Sequence, residues 1–232
     1  MGDTFNQLLD ETCSILESYR GRDKILRVLC YASKLLGELQ SNPELAKKFS
    51  IFGSQMSATR ATLRLLNDLP TLKSNLQYGL GKNEPDDIIA KLGVVSHIID
   101  QIYLPIEKMS WLAKYKLLTG VDNNKWDNAS SVCWAITTYL TIIKTVRYLI
   151  LLQKHTSCFS EEKSISPDQL QNVKNYNMWN LLRLCMDFIH AVNTLPPGFF
   201  WSSRLKPWQV NVIATTSSIV GIYLLIYKRW LK

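Results

Sequence analysis

Between residues 43 and 69, Leu45, Phe49, Phe52, Met56, Thr59, Leu63 and Leu66 follow one another in steps of four and three. At roughly 100° per residue these positions share one narrow helical face. Lys48, Arg60 and Arg64 flank that face, and Lys47 lies opposite. The chemistry such residues can do is non-covalent. Ammonium and guanidinium groups meet lipid phosphates, while their stems and the apolar row lie along the acyl boundary. The spacing is compatible with an interfacial membrane helix, for which the candidate binding residues are Lys47, Lys48, Phe49, Phe52, Met56, Arg60, Leu63, Arg64 and Leu66. The same stripe suits a helix that buries its apolar face in a bundle, and periodicity alone leaves both open.

A second pair of cations stands in 131–152, where Lys144 and Arg147 interrupt an apolar run almost long enough to cross a bilayer. Each charge at mid-membrane costs about 2.5–3.5 kcal/mol. Intramembrane charges read first as functional, so these two are candidate pore-lining residues. A helix lying in the interface is the alternative.

Covalent chemistry has no comparable pattern. No GxSxG, Walker loop, HExxH or GxGxxG appears, and His97, His155 and His190 are far apart. Asp86-Asp87 follow Pro85 and suit the first turn of a helix. Five scattered cysteines without a CxxC fit a reducing compartment and neither a zinc site nor a disulfide framework. The expectation is therefore a non-enzyme with no cofactor and no metal. No signal peptide is recognised at the start, and the Asn128 sequon is expected to be silent.

The elements that must position these residues are helices, so the expected fold is all-α. An amphipathic helix is read from Ile25, Val28, Leu29, Ala32, Leu35, Leu36 and Leu39, preceded by another before Gly21. Pro43 suits the first turn of the helix after it. Residues 70–92 read as loop with short helical pieces. The next apolar helix is kinked or ended at Pro105. Residues 153–175 are the best linker. A helix through Met178, Leu181, Leu182, Cys185, Phe188, Ile189 and Val192 stops at Pro196-Pro197-Gly198.

The 18 residues 210–227 carry no charge, with Trp208 and Tyr227 at their ends and Lys228-Arg229 beyond. They span roughly 27 Å, enough for a transmembrane helix. Asn211, Thr215, Thr216, Ser217, Ser218 and Gly221 suit close packing against another helix. The organisation expected is a cytosolic helical region over 1–130, a first membrane segment, spanning or interfacial, at 131–152 and an intervening linker and helix over 153–208. A transmembrane helix at 209–227 and a basic cytosolic tail at 228–232 follow.

Over 232 residues, 27 Lys+Arg against 19 Asp+Glu give a net charge of +8. The pI near 9.2 favours anionic partners. A membrane anchor argues for lipid and against nucleic acid. Hydrophobic residues at 47% exclude a disordered acidic chain. A mean hydropathy of -0.04 excludes a wholly polytopic transporter.

Gly21-Arg22-Asp23-Lys24, within 17–24, resembles the opening motif of the peroxin-11 family of peroxisomal membrane proteins. Residues 63–69 resemble the end of that family's basic amphipathic helix. Residues 77–81, 100–107, 191–198 and 217–219 are similar to its gamma (C) branch, in order and over nearly the whole chain. The resemblance implies a multi-pass peroxisomal membrane protein with both ends cytosolic. It implies membrane elongation before fission by amphipathic-helix insertion, and association with itself and with sister isoforms. It further implies contact with a tail-anchored fission adaptor that recruits a dynamin-like GTPase, and a metabolite pore as an alternative activity.

Overall fold

The computed structural model describes residues 2–158 and 167–230. Among the described residues the chain is all-α, with eight helices and no strand. In chain order these are α1 (Gly2–Glu17), α2 (Tyr19–Leu39), α3 (Pro43–Arg64), α4 (Asp68–Tyr78), α5 (Asp87–Lys114), α6 (Asn123–Cys158), α7 (Pro167–Asn193) and α8 (Pro207–Trp230). They form two compact units, Met1–Arg60 with Pro207–Lys232, and Ala61–Lys206.

In the first unit, Ser18 breaks α1 from α2. Its hydroxyl donates to Ile15 O at 2.8 Å and accepts from Gly21 N at 3.0 Å, which caps α2. Such a cap contributes about 1 kcal/mol. Gly21 is buried in this corner, where a Cβ would fall on the Ile15 carbonyl. Asn42 caps α3 by accepting from Glu44 N and Leu45 N. α8 packs on α2. Asn211, Ala214, Ser217, Ser218 and Leu224 of α8 are buried, while Val212, Ile219 and Tyr223 are exposed. The small residues at three- and four-residue steps therefore face protein, as their sizes allow. Thr215, Thr216 and Ser218 return their hydroxyls to carbonyls four residues back, so these polar groups are satisfied within the helix.

In the second unit, α5 packs on α6, α6 on α7 and α4 on α5. Ala135, Ala191, Val192 and Leu195 form a core under Trp134, Phe188 and Trp201. Trp201 Nε1 donates to Ile189 O at 3.1 Å, and the Trp134 ring meets His190 edge-on at 5.3 Å. A groove of about 540 Å³ opens beside this core, lined by Val132, Tyr139, Phe188 and the turn at Phe199–Trp201.

Several boundaries differ from the expectation. The helix expected over 43–69 ends at Arg64, and a turn leads into α4, inside the stretch expected to be mostly loop. Pro70 sits in the first turn of α4, where its missing donor costs nothing. α5 runs unbroken through Pro105 to Lys114. α6 is one helix of 36 residues that begins before 131 and ends after 152. The linker expected over 153–175 shrinks, because α6 reaches Cys158 and α7 starts at Pro167; residues 159–166 lie outside the described residues. Among the described residues three helices are long and apolar enough to cross a membrane, within Asp87–Lys114, Asn123–Lys154 and Pro207–Arg229. The first of these is additional to the two segments read from the sequence.

Candidate membrane-binding surface

The nine residues assigned to membrane binding do not sit in one environment. Lys47, Phe49, Phe52, Met56 and Arg60 belong to the first unit; Leu63, Arg64 and Leu66 belong to the second. Lys48 lies with the first group. Along the N-terminal half of α3, Leu45, Lys47, Lys48, Ile51 and Phe52 are exposed. Phe52 lies one turn after Lys48, and Ile51 one turn after Lys47, so cations and apolar groups stand side by side. Neither lysine meets a carboxylate among the described residues. Phe49 and Met56 are half-buried. Phe49 approaches Gly37 of α2, whose added Cβ would lie 3.5 Å from the Phe49 Cβ.

The two arginines are engaged. Arg60 Nε donates to Asp23 at 2.9 Å and its Nη2 to the second oxygen at 3.4 Å, with the guanidinium largely buried. Arg64 Nη2 meets Glu107 at 2.7 Å. Leu63 is half-buried and Leu66 is exposed. The sequence placed all four cations in one set; the structure separates two paired guanidiniums from two uncommitted ammoniums. Glycine at 53 brings α3 onto α2, since a Cβ there would lie 2.9 Å from Cys30 O and 2.8 Å from Lys34 Cγ.

The 21–24 motif is the junction of this unit. Gly21 forms the corner, Arg22 is exposed, Asp23 holds Arg60 of α3, and Lys24 lies along Gly221 of α8. Three of its four residues thus touch three different helices.

Lys144 and Arg147 also have partners. Lys144 Nζ meets Glu84 at 2.6 Å and stands 4.9 Å over the Tyr78 ring. Arg147 meets Asp86 through two bonds, Nε at 2.5 Å and Nη2 at 3.1 Å. The guanidinium beside it holds the Asp86 carboxyl below the usual carboxylate range. Asp86 also caps α5, accepting from Ile89 N at 3.4 Å. The loop before α5 supplies the counter-charges that the sequence reading of 131–152 lacked. Acids one and three residues before a long apolar helix, Asp86 and Glu84, were the available signal. Among the described residues no group of His, Cys, Asp or Glu could hold a metal ion, and Cys13, Cys30, Cys133 and Cys185 are free thiols.

A surface built of lysines and apolar side chains, together with three span-length helices, describes a membrane protein, and the whole chain can be compared on that basis. The model of the family described as Peroxisomal biogenesis factor 11 (PEX11) matches residues 9–226. The chain belongs to the PEX11 family. It is a peroxisomal membrane protein implicated in peroxisome biogenesis and proliferation. Peroxisomal membrane protein 11C of Homo sapiens is 31% identical over 229 residues, 93% of each chain. The Mus musculus protein of the same name is 31% identical over 227 residues, 92% of each. Peroxisomal membrane protein PMP27 of Saccharomyces cerevisiae is 25% identical over 156 residues, 65% of this chain and 63% of that one. No solved structure matches the chain. The family is not known as one of enzymes.

Proposed function

We propose that this PEX11-family protein elongates the peroxisomal membrane by inserting the exposed face of α3 into the cytosolic leaflet, ahead of fission. The observation that carries the reading is the patch of Lys47 and Lys48 beside Leu45, Ile51 and Phe52. Two ammonium groups near anionic phosphates contribute about 1 kcal/mol each. The apolar groups then enlarge one leaflet and not the other, and that asymmetry favours curvature. α8 is the anchor: tethering raises the local concentration of a helix whose own affinity is weak. Phe49 and Gly53 seat the helix on α2, and Arg60 fixes it to the 21–24 motif. Association with further copies, with sister isoforms and with a tail-anchored fission adaptor that recruits a dynamin-like GTPase belongs to the same proposal. It rests on family membership.

The test is reconstitution of the full chain into anionic vesicles, with vesicle shape scored by electron cryomicroscopy. Wild type is expected to draw tubules. Phe52→Glu with Lys48→Glu is expected to leave the vesicles round at equal protein density. Tubules from that variant would overturn the assignment. The pore alternative is less supported, because Lys144 and Arg147 each face a carboxylate in place of an open path.

A further inference from the structure

α4 is folded inside out for a water-soluble protein. Leu69, Leu72 and Leu76 fall within roughly 60° of one another on the helix. They are 76%, 42% and 73% exposed, and Leu66 and Leu80 beyond its ends are 81% and 74% exposed. The side carrying Asp68, Asn75 and Tyr78 faces protein, while Lys73, Ser74 and Gln77 are exposed. Asn75 Nδ2 donates to His97 O at 3.3 Å, Tyr78 donates to Ala90 O at 3.4 Å, and Asp68 pairs with Lys108. The Tyr78 ring lies so close on Gly93 that a Cβ there would fall on it. These three attachments run antiparallel along α5, from Lys108 to Ala90, and hold α4 with its leucines outward.

We propose that this leucine ridge is a lipid-binding face of its own, seated in the acyl layer of the membrane, with Lys73 and Lys82 at anionic headgroups. It rests on the membrane reading of the chain and not on insertion of α3. Two observations choose a bilayer as the occupant. The helix that carries α4 is itself span-length and apolar, and it exposes Val95, Ile98 and Ile102, so exposed apolar area continues beyond any single patch. A bilayer covers such a belt; one docked protein covers a patch. Lys73 is exposed on the edge of the ridge, and Lys82 is exposed two residues after Leu80, matching the charge pattern of interfacial helices. With 11 residues, α4 is about 16 Å long, too short to cross a bilayer, so it lies within one leaflet.

The experiment is photolabelling of the full chain in vesicles of phosphatidylcholine and phosphatidylserine, using a phosphatidylcholine with a diazirine on its acyl chain. Labelled residues are mapped by mass spectrometry. Label is expected on Leu69, Leu76 and Leu80, at the level of Ile219 and Tyr223 on α8, and absent from Asn75. The variant Leu69→Ser with Leu76→Ser removes side chains that are largely exposed, so its thermal midpoint should match wild type while label at Leu72 and Leu80 is lost. An unlabelled ridge beside a labelled α8 would overturn the proposal. So would chemical crosslinks joining Lys73 of two copies with no acyl label, which would make the ridge a contact between copies. Label at Ile51 and Phe52 is read from the same map, so failure of α4 is told apart from failure of α3.

Discussion

α3 and α4 carry apolar rows at similar helical spacing, yet the protein uses them in opposite ways. α3 lays Phe49, Met56 and Gly53 toward its own unit and keeps Leu45, Ile51 and Phe52 with two lysines outside. α4 holds α5 through Asp68, Asn75 and Tyr78 and keeps all its leucines outside. The difference shows that helical amphipathicity by itself does not identify a membrane face. What identifies it is which side is already engaged, and whether the cations beside it are paired. By that measure Lys47 and Lys48 are available to phosphates, and Arg60 and Arg64 belong to the protein's own ion pairs.

The largest expected effect that breaks this comparison comes from charge reversal on the free face. Lys47→Glu with Lys48→Glu should weaken anionic-vesicle binding of the α3 surface by at least about 2 kcal/mol, roughly thirtyfold. Salt titration of α3 acyl labelling in the reconstituted protein measures it, and the α4 label should persist. Next in size is Gly53→Leu, which drives a side chain into Cys30 O and the Lys34 stem. Overpacking of this kind costs about 1–3 kcal/mol, read as a lower thermal midpoint by circular dichroism.

Lys144→Met should lower the midpoint by a similar or smaller amount, because it leaves Glu84 without its cation. Planar-bilayer conductance should not change; a change would revive the pore reading. The smallest effect sharpens the contrast between paired and unpaired cations. Arg64→Gln loses a half-exposed ion pair with Glu107 and should cost under about 1 kcal/mol, with lipid binding unaltered. Weaker lipid binding by that variant would return Arg64 to the membrane face.

Much of this architecture was legible in the sequence because it rests on local pattern. The all-helical class, the amphipathic α2 stripe and the uncharged run of α8 follow from spacing, and Asn211, Ser217 and Ser218 of α8 are buried as expected while Thr216 is exposed. Three features were not legible. Pro105 reads as a break, but α5 continues past it, so a third span-length helix was hidden. Ion pairs across 37 to 61 residues, such as Asp23–Arg60 and Asp86–Arg147, depend on tertiary placement that charge spacing cannot encode. The leucines of α4 were present at steps of three and four, but Pro70, Gly79 and Gly81 dominated the reading of that stretch. A proline in a first turn and a glycine past a last turn are compatible with a helix between them.

The central claim is that the exposed face of α3 lengthens the peroxisomal membrane. It is tested most directly by imaging peroxisomes in cells that express the tagged full chain or its Leu45→Glu, Phe52→Glu variant at matched levels. Wild type is expected to give longer or more numerous peroxisomes. The variant, still anchored by α8, is expected to reach peroxisomes and leave their length unchanged. Elongation by the variant equal to that by wild type would contradict the account.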